Sequence, residues 1–135
     1  MDKFNLEKDI NVFCVTAISF PDGVMDAHNK LHSLIKPSKE RRYFGISRPD
    51  KDTIVYKAAA EEMEEGEADK LSCERFVIKK GEFICLTIKD FMEDVQSIEN
   101  AFRKLISRDD IDPNGYCLEW YLNEKDVRCM VGLKS

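Results

Sequence analysis

Phe13-Cys14-Val15-Thr16 and, 71 residues further on, Ile84-Cys85-Leu86-Thr87 are the stretches on which the reading of the fold turns. Both are runs of branched, aromatic and small apolar residues that suit a pleated strand. The match extends without a gap: Phe20 lies over Phe91, Val24 over Val95, Asn29 over Asn100, and Leu34-Ile35 over Leu105-Ile106, seven identities in 23 aligned positions. After a further shift of two or three, Tyr43 falls over Tyr116 and Lys51-Asp52 over Lys125-Asp126. A duplicated unit of about 60 residues is the simplest source of such a pattern.

Each copy reads alike. A strand-like run (10–19 and about 75–89) precedes an amphipathic helix, with Val24, Ala27, Leu31, Leu34 and Ile35 as the apolar stripe in the first copy. Val95, Ile98, Phe102, Leu105 and Ile106 repeat that stripe in the second. Pro21 suits a first helical turn, and Asp22, Glu93 and Asp94 suit the positive end of the helix dipole. Two strands follow in each copy, 42–48 with 53–60 and 116–122 with 127–133. The predicted class is α+β: a strand-helix-strand-strand unit used twice with pseudo-twofold symmetry, an antiparallel sheet with helices on one face, and a ligand cleft between the copies. The chain is read as one domain, with copy one at about 8–60, an acidic linker at about 61–72 and copy two at about 73–134. Six acids in nine residues (61–69) predict a solvated connector there.

Composition narrows the function. The 135 residues carry 21 Lys and Arg against 26 Asp and Glu, a net charge of −5. Phosphate neutralisation needs clustered positive charge, so no direct DNA binding is expected. No apolar run approaches the roughly 20 residues that span a bilayer, so no membrane span is expected. The mixed charges of the first nine residues lack a signal peptide's apolar stretch, which predicts a cytoplasmic protein. Five cysteines with no Cys-x-x-Cys spacing predict neither disulfides nor a zinc knuckle. His28 and His32 stand at i, i+4 on the first helix, but no third ligand can be named, so no metal is expected. Glycine-rich phosphate loops and Gly-x-Ser-x-Gly elbows are missing from the sequence, and no cofactor is expected.

The final hairpin holds the most informative acid. A four-residue turn at Asn123–Asp126 would pair Leu122 with Val127, Trp120 with Cys129, Leu118 with Val131 and Tyr116 with Leu133. That wholly apolar face would lie under the helices. The opposite face would carry Tyr121 with Arg128, Glu119 with Met130 and Cys117 with Gly132. Glu119, in Tyr-Cys-Leu-Glu-Trp-Tyr, occupies the most apolar setting of any acid in the chain. A carboxylate there needs a cation, several hydrogen-bond donors, or a proton. Arg128, diagonal to it, would be the structural partner; an organic cation among aromatic rings would be the functional one. By the repeat, Ile46 takes the place of Glu119, and Phe44, Ile46 and Tyr56 would form the wall opposite.

The duplicated unit, the segment Val77-Ile78-Lys79-Lys80-Gly81-Glu82-Phe83 and the run Asp112-Pro113-Asn114-Gly115-Tyr116-Cys117-Leu118-Glu119-Trp120-Tyr121 together resemble the GyrI-like family. That family includes the effector-binding domains of AraC-type and MerR-type transcription regulators. The resemblance implies a buried glutamate that holds lipophilic cations, a position Glu119 matches, with Tyr121 as the aromatic residue two places later. Phe83 sits where the family often has tyrosine. The ligand-binding set is therefore Glu119, Tyr121, Met130, Phe44, Ile46, Tyr56 and Phe83. The 135 residues hold no helix-turn-helix, so the expected function is a stand-alone small-molecule-binding protein. Two alternatives follow from the same resemblance. One is a hydrolase of reactive cyclopropane-type toxins, with Glu119 as general base and Tyr121 orienting the electrophile. The other is a gyrase-inhibitor-like regulator with a protein partner, contacted through residues 61–69.

Overall fold

A computed structural model of the chain describes residues 1–94 and 96–134. Val95, one of the helix-stripe residues named above, lies outside the described residues. The chain runs β1 (Asp2–Leu6), β2 (Ile10–Thr16), α1 (Val24–Ser33), β3 (Tyr43–Asp50), β4 (Thr53–Glu61), α2 (Glu67–Lys70), β5 (Glu74–Ile78), β6 (Gly81–Ile88), a 3-10 turn (Phe91–Glu93), α3 (Ser97–Ile106), β7 (Cys117–Tyr121) and β8 (Val127–Gly132). The α+β class and the antiparallel sheet are as the sequence predicts. The single run expected at 75–89 is instead two strands, β5 and β6, broken at Lys79-Lys80, and β1 was not anticipated.

All eight strands join one antiparallel sheet in the order β1-β6-β8-β7-β3-β4-β2-β5. This order forces the sheet to curl. β1 and β2 are six strand positions apart, about 29 Å if the sheet were flat. Yet Leu6 and Ile10 are four residues apart, a reach of about 14 Å. The same holds for Ile78 of β5 and Gly81 of β6, joined across the sheet by only two residues. The two linkers meet, and the Lys80 amide donates to Asp9 Oδ1 at 2.8 Å.

Curling creates an inner and an outer face. Leu6, Ile10, Phe44, Ile78, Leu118 and Met130, drawn from both edges and the centre, form one buried inner cluster. The outer face carries two separate clusters. In one, α1 lays Ala27 and Leu31 on Phe13, Tyr56, Ala58 and Ala60. In the other, α3 lays Ala101 and Leu105 on Ile84, Val127, Cys129 and Val131. β3 and β7 pair at the seam between them, with Gly45 opposite Glu119.

The acidic connector is structured rather than merely solvated. The Arg41 guanidinium donates to both carboxylate oxygens of Glu67 (3.1 and 3.0 Å), Arg42 pairs with Glu61, and Arg75 pairs with Asp69. Arg41 and Arg42, just ahead of β3, grip Glu67 and Glu61 through two nitrogens each, and Arg75 on β5 holds Asp69 through one. Among the described residues, no helix is long and apolar enough to cross a membrane.

Candidate functional site

The site starts from a register that differs from the sequence reading. Glu119 pairs with Cys129, Leu118 with Met130 and Tyr121 with Val127. The turn is five residues long, not four: the Leu122 amide donates to the Asp126 carbonyl, and Asn123 Oδ1 accepts from the amides of Lys125 and Asp126. A one-residue slip exchanges every cross-strand partner. Glu119 therefore shares its face with Val127, Cys129 and Val131, under the helices, while Leu118 and Trp120 face inward.

This redistributes the expected site residues. Tyr56 and Tyr121 come together with Glu119 on the outer face. Phe44, Ile46, Phe83 and Met130 belong to the inner cluster on the other side of the sheet. The pairing of Ser47 with Tyr56 and Ile46 with Lys57 separates Tyr56 from Phe44 and Ile46. Arg128 is also on the inner side, with its guanidinium over the rings of Phe4 and Trp120. It does not reach Glu119.

Glu119 is 8% exposed and, among the described residues, the one charged residue that is buried. Both tyrosines donate to the same carboxylate oxygen, Oε1: Tyr56 at 2.8 Å and Tyr121 at 2.5 Å. Among the described residues, Oε2 has no hydrogen-bond partner and the carboxylate no cationic one. Burial raises the Glu119 pKa against the opposing pull of the two tyrosine hydrogen bonds. The two phenols are pushed well above their ordinary range, first by burial and then by the adjacent carboxylate. They remain protonated donors at any ordinary pH.

Four further residues complete the site, and sequence reasoning assigned none of them to it. His28, on α1, places Nε2 2.7 Å from the Tyr56 hydroxyl and packs edge-on to both tyrosine rings. Phe20 stacks on Tyr56, with centroids 6.0 Å apart. Phe91 tilts against Tyr121 at 5.7 Å. Gly45 leaves the space the carboxylate occupies: a β-carbon there would overlap the Tyr56 hydroxyl and stand 2.5 Å from Glu119 Oε1. The Phe20–Phe91 match in the 71-residue offset was a usable signal, because each precedes its helix and covers one tyrosine. No comparable signal marked His28 or Gly45, whose roles depend on which strands meet at the seam.

Phe20 and His28 pack against Tyr56, and His28 and Phe91 against Tyr121. Two cavities, of about 360 Å³ beside Arg41 and Leu71 and about 1000 Å³ between Lys79–Phe83 and Asp112–Tyr116, are lined by neither Glu119 nor its tyrosines. The arrangement can hold a buried negative charge and offer one free carboxylate oxygen and several ring faces to a positive guest. It also brings a carboxylate of raised proton affinity against a phenol. Among the described residues, no group of three or more His, Cys, Asp or Glu is placed to hold a metal ion.

No family model matches the chain, and neither does any curated protein sequence. Solved structures do match its fold. An integron cassette protein from the mobile metagenome of Vibrio cholerae superposes with a TM-score of 0.73 at 9% identity, over 98% of this chain and 95% of that one. A hydrolase from Listeria innocua superposes with a TM-score of 0.62 at 10% identity, over 98% of this chain and 90% of that one. The curled antiparallel sheet with its helices is thus an architecture this chain shares with both.

Proposed function

We propose that the protein binds an amphipathic organic cation at the β3–β7 seam, with Glu119 as the counter-charge and Tyr56, Tyr121, Phe20 and Phe91 as the aromatic walls. One observation carries this reading: a carboxylate 8% exposed with both phenol donors on Oε1 and, among the described residues, no partner on Oε2 and no cation of its own. A desolvated negative charge ringed by π-faces gains from a cation through both the ion pair and the rings. Phe20 is 42% exposed, so it is the ring a guest displaces at least cost. The resemblance to GyrI-like effector-binding domains supports the same reading. So does the 71-residue offset, on which we read the β2–β4 and β6–β8 units as two copies of one unit facing each other across the site.

Hydrolysis is the second reading, favoured by the raised proton affinity of Glu119 beside Tyr121 and by the fold match to a hydrolase. In it, Glu119 takes a proton from water as the water oxygen bonds to a strained-ring carbon. The ring C–C bond breaks, and its electron pair moves into a conjugated carbonyl, which accepts the proton. The connector 61–69 supports a protein partner less well, since Glu61, Glu67 and Asp69 are paired within the chain.

The test is a matched pair of probes: N,N,N-trimethylanilinium and its neutral isostere tert-butylbenzene. Wild type should prefer the cation by about tenfold or more, the equivalent of about 1.4 kcal/mol. Glu119→Gln should abolish that preference while still binding the neutral probe. An unchanged preference in Glu119→Gln rejects the proposed role. Turnover of an electrophilic cyclopropane, lost in Glu119→Gln, would establish the second reading instead.

A further inference from the structure

Of the residues hydrogen-bonded around Glu119, Tyr56 and Tyr121 stand on the sheet and His28 on the helix α1, and counting protons defines what His28 does. The Tyr56 hydroxyl has one proton and three neighbours: Glu119 Oε1 at 2.8 Å, His28 Nε2 at 2.7 Å and the Tyr121 hydroxyl at 3.4 Å. Tyr121 spends its own proton on Glu119 at 2.5 Å. If Tyr56 also donates to the carboxylate, its oxygen needs a donor, and the close one is His28 Nε2. The alternative tautomer, with the proton on Nδ1, would make Nε2 an acceptor. It would draw the Tyr56 proton away from Glu119 and leave the carboxylate with a single donor.

We propose that His28 is a positioning residue that donates from Nε2 to the Tyr56 hydroxyl oxygen, turning the Tyr56 proton onto Glu119 Oε1. This keeps the carboxylate ionised with Oε2 turned over to the guest. The inference rests on the reading of Glu119 as the ligand's counter-charge, and extends it by naming the residue that sets the charge state. It gives α1 a part in the chemistry as well as in the packing, because moving α1 removes the donor and returns the Tyr56 proton to a free choice of acceptors. Burial agrees with the assignment. It holds His28 down to about 4, with His32 one turn along α1 adding to the effect, so the ring is neutral and has one N–H to give. The other titratable groups facing the network are Tyr56, Tyr121 and Glu119 on the sheet, with Cys117 and Cys129 beside the carboxylate. Both thiols are neutral.

Three measurements test it. In the unaltered protein at pH 7, ¹⁵N ring couplings should show Nε2 protonated and Nδ1 bare; the Nδ1–H tautomer overturns the proposal without any variant needing to fold. The Glu119 carboxyl, followed by ¹³C chemical shift, should titrate about one unit higher in His28→Phe, a tenfold change in its proton affinity. His28→Gln, which keeps an N–H donor near the Nε2 position, should recover at least half of that change. An unshifted His28→Phe, or a His28→Gln no different from it, overturns the proposal, since a merely structural ring would not be rescued by a donor. The two readings fail separately. Trimethylanilinium binding that depends on Glu119 but is the same in His28→Phe removes the role of His28 alone. An Nε2–H tautomer and a His28-dependent Glu119 midpoint, without any cation preference, remove the ligand alone.

Discussion

Glu119 and His28 pull the protein's stability in opposite directions as pH changes. His28 is held down to about 4, against 6.5 for an exposed imidazole. Between those values the unfolded chain binds a proton that the native ring refuses, so stability is lost as pH falls through the window. The full effect is about 3 kcal/mol at 1.36 kcal/mol per unit, and about 2 once the ring's partial exposure is counted. Glu119 has the reverse sign. Its native carboxyl keeps a proton above the unfolded value of 4.5, so stability is lost as pH rises from there to its raised native pKa. Urea denaturation from pH 7 to 4 should show wild type losing about 2 kcal/mol relative to His28→Phe through the ring, and up to about 1.4 kcal/mol more through the one-unit rise of Glu119 in that variant. A constant difference between the two curves would mean that the ring protonates freely in the fold.

At the scale of elements, the short helix α2 carries two ion pairs, of which Arg41–Glu67 is the shielded one and Arg75–Asp69 the exposed one. Arg41 and Glu67 are 11% and 14% exposed at their side chains, bonded through both oxygens. Glu67 also accepts from the amides of Met63 and Glu64, and its pKa falls to about 2, chiefly through the Arg41 hydrogen bonds. Arg41 additionally covers the Phe13 ring. Removing one partner strands the other, so Arg41→Ala should cost about 2 kcal/mol, below the range for fully buried pairs because both ends still touch solvent. Arg103→Ala, breaking the exposed i, i+4 pair with Glu99 on α3, should cost about 0.5 kcal/mol or less. Equal losses in urea melts would show that the connector is not anchored through Arg41.

For the molecule as a whole, the curled sheet divides its work between two faces. The inner face is apolar packing drawn from all eight strands; the outer face carries the helices and, at their seam, the charge. Met130→Ala, a truncation on the inner face, should cost about 3 kcal/mol in stability. It should leave the preference for trimethylanilinium over tert-butylbenzene within about twofold, below 0.5 kcal/mol. Glu119→Gln should do the opposite: it should erase the preference while leaving stability unchanged or higher, because it removes a desolvated carboxylate. Loss of cation preference in Met130→Ala at a temperature where the protein is folded would show that the two faces are coupled.

The order strand, helix, strand, strand was legible twice over, because apolar periodicity and turn residues are local properties, and α1, α3 and six of the eight strands lie where that order predicts them. Glu119 was legible for the same reason: an acid between Leu118 and Trp120 stands out in any register. The strand β1 was not, since Asp2–Leu6 has little pattern of its own and forms by pairing with β6. Only the tertiary structure decided which residues surround Glu119. The extra turn residue at Leu122–Asp126 exchanged the partners of β7 on β8 and sent Met130 and Phe83 to the far side. The registers of β3 with β7 and β4 did the same for Phe44 and Ile46 and brought Tyr56 to the carboxylate, and the packing of α1 brought His28. Side-chain identity sets what a residue needs, but strand register and sheet closure set what it meets, and those depend on contacts between residues far apart in the chain.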